Sequence, residues 1–336
     1  MTPERLDEIL DRAAGKRILV IGDLMLDEFV WGKVGRISPE APVPVVEVTS
    51  ETCYPGGAAN VARNLKEFVR RTSVVGLIGN DRGGRKLREL LEEGKIDTGA
   101  LIEDAAFPTI VKTRIIARQQ QVVRVDREEL RAPNSDQVAQ VVSRIRERLP
   151  EIDAVIFEDY GKGFLSLDLV CQVSALACAA GKIVTADPNP RHVIAWKDVT
   201  AVKPNRSEAF LAAGVPWSDP VEPVENDEAL RRVGRILLEK WETKYLLITL
   251  GEQGMILFER EGTWHHTPTR ARQVFDVSGA GDTAIALFTL ALCCDASAQE
   301  AAEIANHASA VVVGKLGTAT VTRDELSASF HDGSIA

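Results

Sequence analysis

No G-x-x-x-x-G-K-[S/T] run occurs in the 336 residues, so a nucleotide bound to this chain is not held by a Walker-type phosphate loop. Cysteine is scarce. Cys53, Cys171, Cys178, Cys293 and Cys294 form an odd set with no C-x-x-C spacing, and the amino end lacks the charged-then-apolar layout of a secretory signal, so a reducing cytoplasm is the expected location. Cys171 and Cys178 lie in a helix-like segment, 167–180, and are expected to share a buried face rather than to bind metal. His265-His266 has no matching ligand cluster, which leaves no metal cage in view. The longest apolar run, Ala284 to Cys294, is well short of the ~20 residues needed to span a bilayer. Positive charge is also lacking: the formal net charge is -9, and no basic run has the length or aromatic interleaving of a nucleic-acid groove.

What is present suits an ordinary α/β enzyme. With 45% hydrophobic and 26% charged residues, the chain can bury one large core and shows no composition typical of disorder. Apolar strand-like runs at 18–21, 73–78, 154–157, 183–186 and 246–250 alternate with helix-like segments at 60–68, 85–93 and 167–180. Such alternation predicts a mostly parallel sheet covered by helices. Val43 to Val48 and Ile110 to Val125 break the rhythm, each reading as strand without an intervening helix.

The most informative stretch is Asp276-Val277-Ser278-Gly279-Ala280-Gly281-Asp282-Thr283. Gly279, Ala280 and Gly281 let main-chain amides approach a charged oxygen, and the apolar helix that follows aims its positive dipole end at the same place. A carboxylate at Asp282, in the first turn, can take a proton from an attacking hydroxyl. That combination is a phosphotransferase arrangement, set against the plainer reading of a glycine-rich turn with Asp282 as a helix cap. The same residues loosely match a dinucleotide-binding turn, but no acidic residue follows at the required strand end, since Asp295 comes too early.

Two further segments sit where open α/β sheets bind ligands. Gly22-Asp23-Leu24-Met25-Leu26-Asp27 places Asp23 and Asp27 at the carboxyl end of a buried strand, where carboxylates can grip hydroxyls. Pro55-Gly56-Gly57-Ala58-Ala59-Asn60 joins a glycine pair to a helix with Asn60 in its first turn. The Glu158–Gly163 segment follows another buried strand, making Asp159 and Lys162 candidate contacts, and Asp187-Pro188-Asn189 has the same standing.

GDLMLDEF, RISPEAPVPVVEV, PGGAANVARNL, KTRIIARQQQVVRVD, DVSGAGDT and ANHASAVVVGKLGTATV, in this order, resemble the ribokinase-like (PfkB) sugar kinases from about Arg17 to Val321. Within them, the RISPEAPVPVV and VVVGKLGTATV segments resemble the branch that phosphorylates D-glycero-D-manno-heptose 7-phosphate on its anomeric oxygen. The resemblance implies a ribokinase-like α/β fold, a single kinase domain over 1–336, and a small β-strand lid from segments of about 32–52 and 108–126. It implies ATP-dependent transfer to O1 of the heptose phosphate, on the way to ADP-heptose for lipopolysaccharide. A kinase for another sugar and a silent binding homologue are the alternatives. Relatives that fuse the kinase to a nucleotidylyltransferase carry an H-x-G-H element absent here, so the kinase step alone is expected.

Carried over position by position, the resemblance makes Asp282 the catalytic base and Gly279, Ala280 and Gly281 the anion hole. Asp23, Gly56, Gly57 and Asn60 match the sugar-binding positions. Asn205 and Glu208, in Lys203-Pro204-Asn205-Arg206-Ser207-Glu208, match the N-x-x-E element that organises Mg²⁺ through water. Thr249, Gly251 and Gly254 resemble the nucleotide-binding turn, and Asn306 falls in the adenine pocket. Asp276 is the residue a monovalent cation would use. Relatives usually have threonine directly after it, and Val277 in that place leaves K⁺ activation open.

In the family the lid strands often pair with a second subunit's lid, and exposed strand edges seek partners, so a homodimer is expected. Arg36, Lys112, Arg114, Arg118 and Arg124 surround the expected sugar pocket in sequence, and a guanidinium can hold a phosphate through two hydrogen bonds. Arg118 is the first choice for the substrate phosphate and Lys112 the second.

Overall fold

A computed structural model describes residues 1–118, 120–271, 274–315 and 317–331. Gln119 of the expected lid, Leu316 of the last quoted motif, Arg272, Gln273 and residues 332–336 lie outside the described residues.

In chain order the strands are β1 (Arg17–Gly22), β2 (Leu24–Ile37), β3 (Pro44–Gly57), β4 (Arg71–Val75), β5 (Leu77–Gly79), β6 (Ile102–Asp104) and β7 (Ile110–Ala117). They continue as β8 (Gln120–Arg127), β9 (Ala154–Glu158), β10 (Ile183–Asp187), β11 (Ala201–Val202), β12 (Tyr245–Thr249), β13 (Met255–Glu259) and β14 (Trp264–Thr267). The helices are α1 (Pro3–Ala13), α2 (Ala58–Leu65), α3 (Arg82–Glu93), α4 (Ser135–Arg148), α5 (Leu167–Ala179), α6 (Arg206–Ala213), α7 (Glu228–Trp241), α8 (Ala280–Cys293), α9 (Ala298–Val313) and α10 (Arg323–His331). Among the described residues no helix is long and apolar enough to cross a membrane.

The main sheet has the order β14-β13-β12-β11-β10-β9-β1-β4. From β4 to β12 all neighbours are parallel, and β13 and β14 extend the far side antiparallel. Parallel strands are buried on both faces, which is why they read as unbroken apolar runs. In β1, Ile18 and Val20 pack into the core beneath α1, α2, α8 and α9, while Leu19 and Ile21 pack into the core beneath α4, α5 and α7. From β1 the chain passes to β4 on one side and later to β9 on the other. The crevice at the carboxyl ends of β1 and β9 is therefore a topological switch point, where open α/β sheets bind ligands.

A second sheet, β3-β2-β7-β8, rises from this edge. Of the expected strand at 43–48, all but Val43 belongs to the longer β3, and the run at 110–125 is two antiparallel strands reversing at Arg118, which adopts φ 58°. The run at 73–78 divides at Gly76, where a Cβ would come within 2.5 Å of Leu24, so the chain leaves the main sheet there and enters the β5-β6 pair. One expectation is corrected: Cys171 and Cys178 are exposed. The buried stripe of α5 runs through Leu169, Val170, Val173 and Ala177, and the two cysteines lie off it.

α8 is buried on nearly every side, from Asp282 to Ala291. Its sequence has no polar face, so it packs between the sheet and α9, and its amino end is fixed at the crevice.

Candidate active site

Asp282 lies in the first turn of α8 and is buried. Both its oxygens are held by residues far away in sequence: Asn60 Nδ2 donates to Oδ2 at 2.6 Å, and the Tyr160 hydroxyl donates to Oδ1 at 2.8 Å. Arg63 Nη1 donates to Asn60 Oδ1 at 3.2 Å, which turns the amide so that its NH₂ faces the carboxylate. Burial raises the Asp282 pKa, while Asn60, Tyr160 and Lys203 act to lower it. Burial and the charge of Asp282 push the Tyr160 hydroxyl well above its ordinary value, so it stays a donor.

Tyr160 belongs to a loop built around two aspartates. The amides of Tyr160, Lys162 and Phe164 donate to the Asp23 carboxylate at 3.0, 2.9 and 3.1 Å. Asp23, expected to grip a sugar, thus has three of its roughly four acceptor positions taken by the main chain. Asp159, expected as a substrate contact, accepts from the Gly161 amide at 2.8 Å and from His192 Nδ1 at 3.0 Å, and its side chain has no exposed surface. These carboxylates hold the loop, because a buried acceptor must be satisfied where it lies.

Behind Asp282 is a charged cluster at the ends of β9, β10 and β11. Lys203 Nζ lies 2.7 Å from Asp187 Oδ2, and burial pushes the Asp187 carboxyl up to about 7 against the pull of that ammonium. Burial opposes the Lys203 charge, yet Asp187 and Glu158 hold its pKa above the ordinary lysine value. Burial, then Asp187 and Asp282, push Glu158 well above the carboxylate range, and among the described residues its Oε2 has no partner. A protonated Glu158 beside an ionised pair is the arrangement such crowding favours.

The amino end of α8 is open. Among the described residues every other helix except α2 has a side-chain cap on its first turn, whereas α2 and α8 begin at Gly57 and Gly279 without one. Gly279 has φ 82°, and a Cβ there would come 2.9 Å from Asn60 Nδ2, so the turn needs glycine on both counts. Of the expected anion-hole amides, Ala280 N already donates to Val277 O at 3.3 Å. That leaves Gly279 and Gly281, joined by Asp282, with amides that have no acceptor within the helix.

Two cavities meet here. One, of about 610 Å³, is lined by Asp282, Gly279, Glu158, Lys203, Asn205 and Glu208. The other, about 440 Å³ and more apolar, is lined by Thr249, Gly251, Gly254, Asn306 and Val313; Gly281, Val277, Thr249 and Gly251 border both. Asn306 Nδ2 donates to Pro268 O at 2.7 Å. Asn205 and Glu208 form a capping box on α6: Asn205 Oδ1 accepts from Glu208 N at 3.0 Å, and Glu208 Oε2 accepts from Asn205 N at 2.8 Å. The box leaves one Glu208 oxygen over. Asp276 turns Oδ1 to the Ser278 amide at 2.9 Å, shaping its own loop.

On the lid side, Asp27 is ion-paired with Arg114 through Oδ1. Gly56 packs against it so closely that a Cβ would lie 2.1 Å from Asp27 Oδ2, and one on Gly57 would lie 2.4 Å from Asp23 O. Lys112 reaches inward, its Nζ 5.6 Å from the centre of the Tyr160 ring. Burial and the neighbouring Lys162 lower its pKa, whereas Lys162 itself pairs with Glu128 at 2.7 Å. Arg118, the first choice from sequence, is exposed at the hairpin end, ~20 Å along the strand from Lys112 at ~3.3 Å per residue. Of the two basic candidates, Lys112 is the one set against the Tyr160 ring and Arg118 the one at the exposed end of the hairpin. Arg36 and Arg124 are exposed as well.

Sequence reasoning missed Tyr160, Arg63, Lys203 and His192 as site residues. The available signal was position: Tyr160 and Lys203 each follow a buried strand ending at the same edge.

A family model described as pfkB family carbohydrate kinase matches residues 16–325. The chain is 41% identical over 320 residues to "Bifunctional protein HldE" of Desulfatibacillum aliphaticivorans, an alignment covering 95% of this chain and 64% of that protein. It thus spans somewhat under two thirds of that relative's length. Its fold resembles phosphofructokinase-2 from Escherichia coli, solved in complex with potassium, with TM-score 0.75, 19% identity, and coverage of 96% of this chain and 99% of that one. Arabidopsis thaliana ribokinase, solved with ribose and ATP, aligns with TM-score 0.71 and 18% identity over 94% of this chain and 99% of that one. The fold is ribokinase-like.

Proposed function

The chain belongs to the pfkB family of carbohydrate kinases, and from that premise we propose that it transfers the γ-phosphoryl group of ATP to O1 of D-glycero-D-manno-heptose 7-phosphate. The products are the 1,7-bisphosphate and ADP, on the route to ADP-heptose for lipopolysaccharide. The reading is supported by relatives of about 40% identity that carry the name "Bifunctional protein HldE". The observation that carries the chemistry is Asp282, held by Asn60 and Tyr160 at the uncapped start of α8.

Asp282 takes the proton of the acceptor hydroxyl as that oxygen bonds to the γ-phosphorus and the bond to the leaving ADP oxygen breaks. The Gly281 and Asp282 amides, with the helix dipole, face the charge on the transferred group. Lys203, anchored by Asp187, supplies a fixed positive charge on the same wall. The adenine occupies the cavity of Gly254, Asn306 and Val313, and Lys112 takes the substrate's phosphate under the lid. Mg²⁺ keeps most of its waters and asks few protein ligands; the oxygen that Glu208 has left from its cap, beside Asn205, fits that demand. When bound, the ion neutralises charge on the phosphates.

The protein works as a homodimer in the cytoplasm. β8 is an edge strand with exposed Val122, Val123 and Val125, a surface that a second lid would cover. All five cysteines are free, as a reducing compartment keeps them. A monomeric mass at micromolar concentration would remove the dimer.

The test is ATP-dependent ADP release with the heptose 7-phosphate beside ribose, fructose and fructose 6-phosphate at matched concentration. Turnover confined to the heptose phosphate supports the reading. Turnover only with another acceptor discards the substrate while keeping the mechanism.

A further inference from the structure

We infer that Tyr160 is a positioning residue for phosphoryl transfer, its hydroxyl fixing the orientation of the Asp282 carboxylate and keeping it ionised. The inference rests on the phosphotransfer reading of this site and names a group that the glycine-aspartate signature does not contain.

The geometry is specific. Tyr160 reaches Asp282 across 122 positions of sequence, and the hydroxyl–carboxylate distance is 2.8 Å. The loop that carries it is fixed at several points: Asp23 takes the amides of Tyr160, Lys162 and Phe164, Asp159 takes that of Gly161, and Gly161 and Gly163 adopt φ 67° and 102°. A loop held this way presents the phenol at a defined place before any ligand arrives, as a preorganised site requires. With Asn60 on one oxygen and Tyr160 on the other, the carboxylate cannot rotate, and each oxygen keeps a lone pair for an incoming hydroxyl.

The surroundings explain why such a donor is needed. Asp282 faces Asn60 from α2, Asp27 from β2, and Glu158, Asp187 and Lys203 from the ends of β9, β10 and β11. Burial and the charge of Asp27 favour a protonated Asp282, which is useless as a base. Lys203, Asn60 and Tyr160 favour the ionised form. Hydrogen bonds to a carboxylate lower its pKa, so removing the phenol donor shifts the balance toward protonation. Tyr160→Phe isolates this effect, because it keeps the ring beneath Lys112.

Two measurements test the inference, and the first needs no substrate. In the free protein labelled with ¹³C at aspartate carboxyl carbons, the Asp282 resonance, assigned by its loss in Asp282→Asn, should titrate ~0.5–1 unit higher in Tyr160→Phe than in wild type. An unchanged titration overturns the inference whatever the substrate proves to be. With whichever acceptor the wild type turns over, kcat should fall at least about tenfold, its acid limb should move up in pH, and the KM for ATP should stay within about twofold. Wild-type kcat and pH profile would likewise overturn it. Should Tyr160→Phe fold poorly, 3-fluorotyrosine at position 160, nearly isosteric and a stronger donor, must move the acid limb down; an unmoved limb sinks the inference. Absence of turnover in the wild type with every sugar would count against the kinase reading and leave the titration standing.

Discussion

Asn60 on α2 donates its amide to Asp282 on α8 at 2.6 Å, joining the two helices that begin at glycines without side-chain caps. The contact ties the reactive carboxylate to a rigid part of the core. Thr283, next to Asp282, extends the link by donating to Asn64, which in turn donates to Asn60 O, so the base rests on a closed polar network.

Asp282→Asn removes the proton acceptor and keeps the shape. Turnover should fall by roughly 10²–10⁴-fold, the range that general-base catalysis contributes, with ATP affinity by calorimetry within about threefold of wild type. Near wild-type ADP release would overturn the assignment.

Lys112→Ala should raise the KM for the phosphosugar at least about tenfold, because a charged hydrogen bond of about 1.5–3 kcal/mol is lost, with kcat less affected. Arg118→Ala should leave that KM within about twofold, since its side chain stands at the exposed hairpin end. If the two variants exchange these phenotypes, the lid is read the wrong way round.

Glu208→Gln separates two roles of one residue. Glutamine can still complete the capping box, so the melting temperature should move by no more than ~2 °C, whereas the Mg²⁺ concentration for half-maximal rate should rise at least about tenfold. A wild-type Mg²⁺ response would show that Glu208 is a cap and nothing more.

Gly56→Ala places a methyl 2.1 Å from Asp27 Oδ2, where the aspartate is already committed to Arg114. Overpacking of this kind costs about 1–3 kcal/mol, read as a fall in the urea midpoint at unchanged slope. A midpoint equal to wild type would show that the β2–β3 seam can relax.

His307 is buried, stacks on Phe330 and has its pKa lowered to about 4 by burial and by Arg270. A base depressed in the folded state contributes stability that is present above its unfolded pKa of ~6.5 and is lost as pH falls toward about 4. That loss is up to about 3 kcal/mol. Chemical denaturation between pH 7 and 4 should show the slope, and His307→Gln should flatten it. An equal slope in the variant would place the acid sensitivity elsewhere.

The parallel sheet, the glycine loop and the carboxylate at the start of α8 were legible in the sequence. Each is a local demand on the chain: unbroken apolar runs for strands buried on both faces, glycine where φ is positive, an all-apolar helix that must be buried. What the chain left undecided about its acidic groups has a different origin. Asp23, Asp27 and Asp159 looked equally free as a string of residues, yet main-chain amides, Arg114 and His192 had claimed them.

The residues by themselves therefore determined the architecture and the kind of chemistry, because backbone conformation and burial follow from short stretches of side chains. Only the tertiary structure decided which acidic groups are spent on holding loops, that Tyr160 meets Asp282, and that Lys112 rather than Arg118 reaches inward. Those outcomes depend on partners brought together from separate strands. A buried hydrogen-bonding group takes whichever partner packing sets beside it, and spacing along the chain carries no record of that choice.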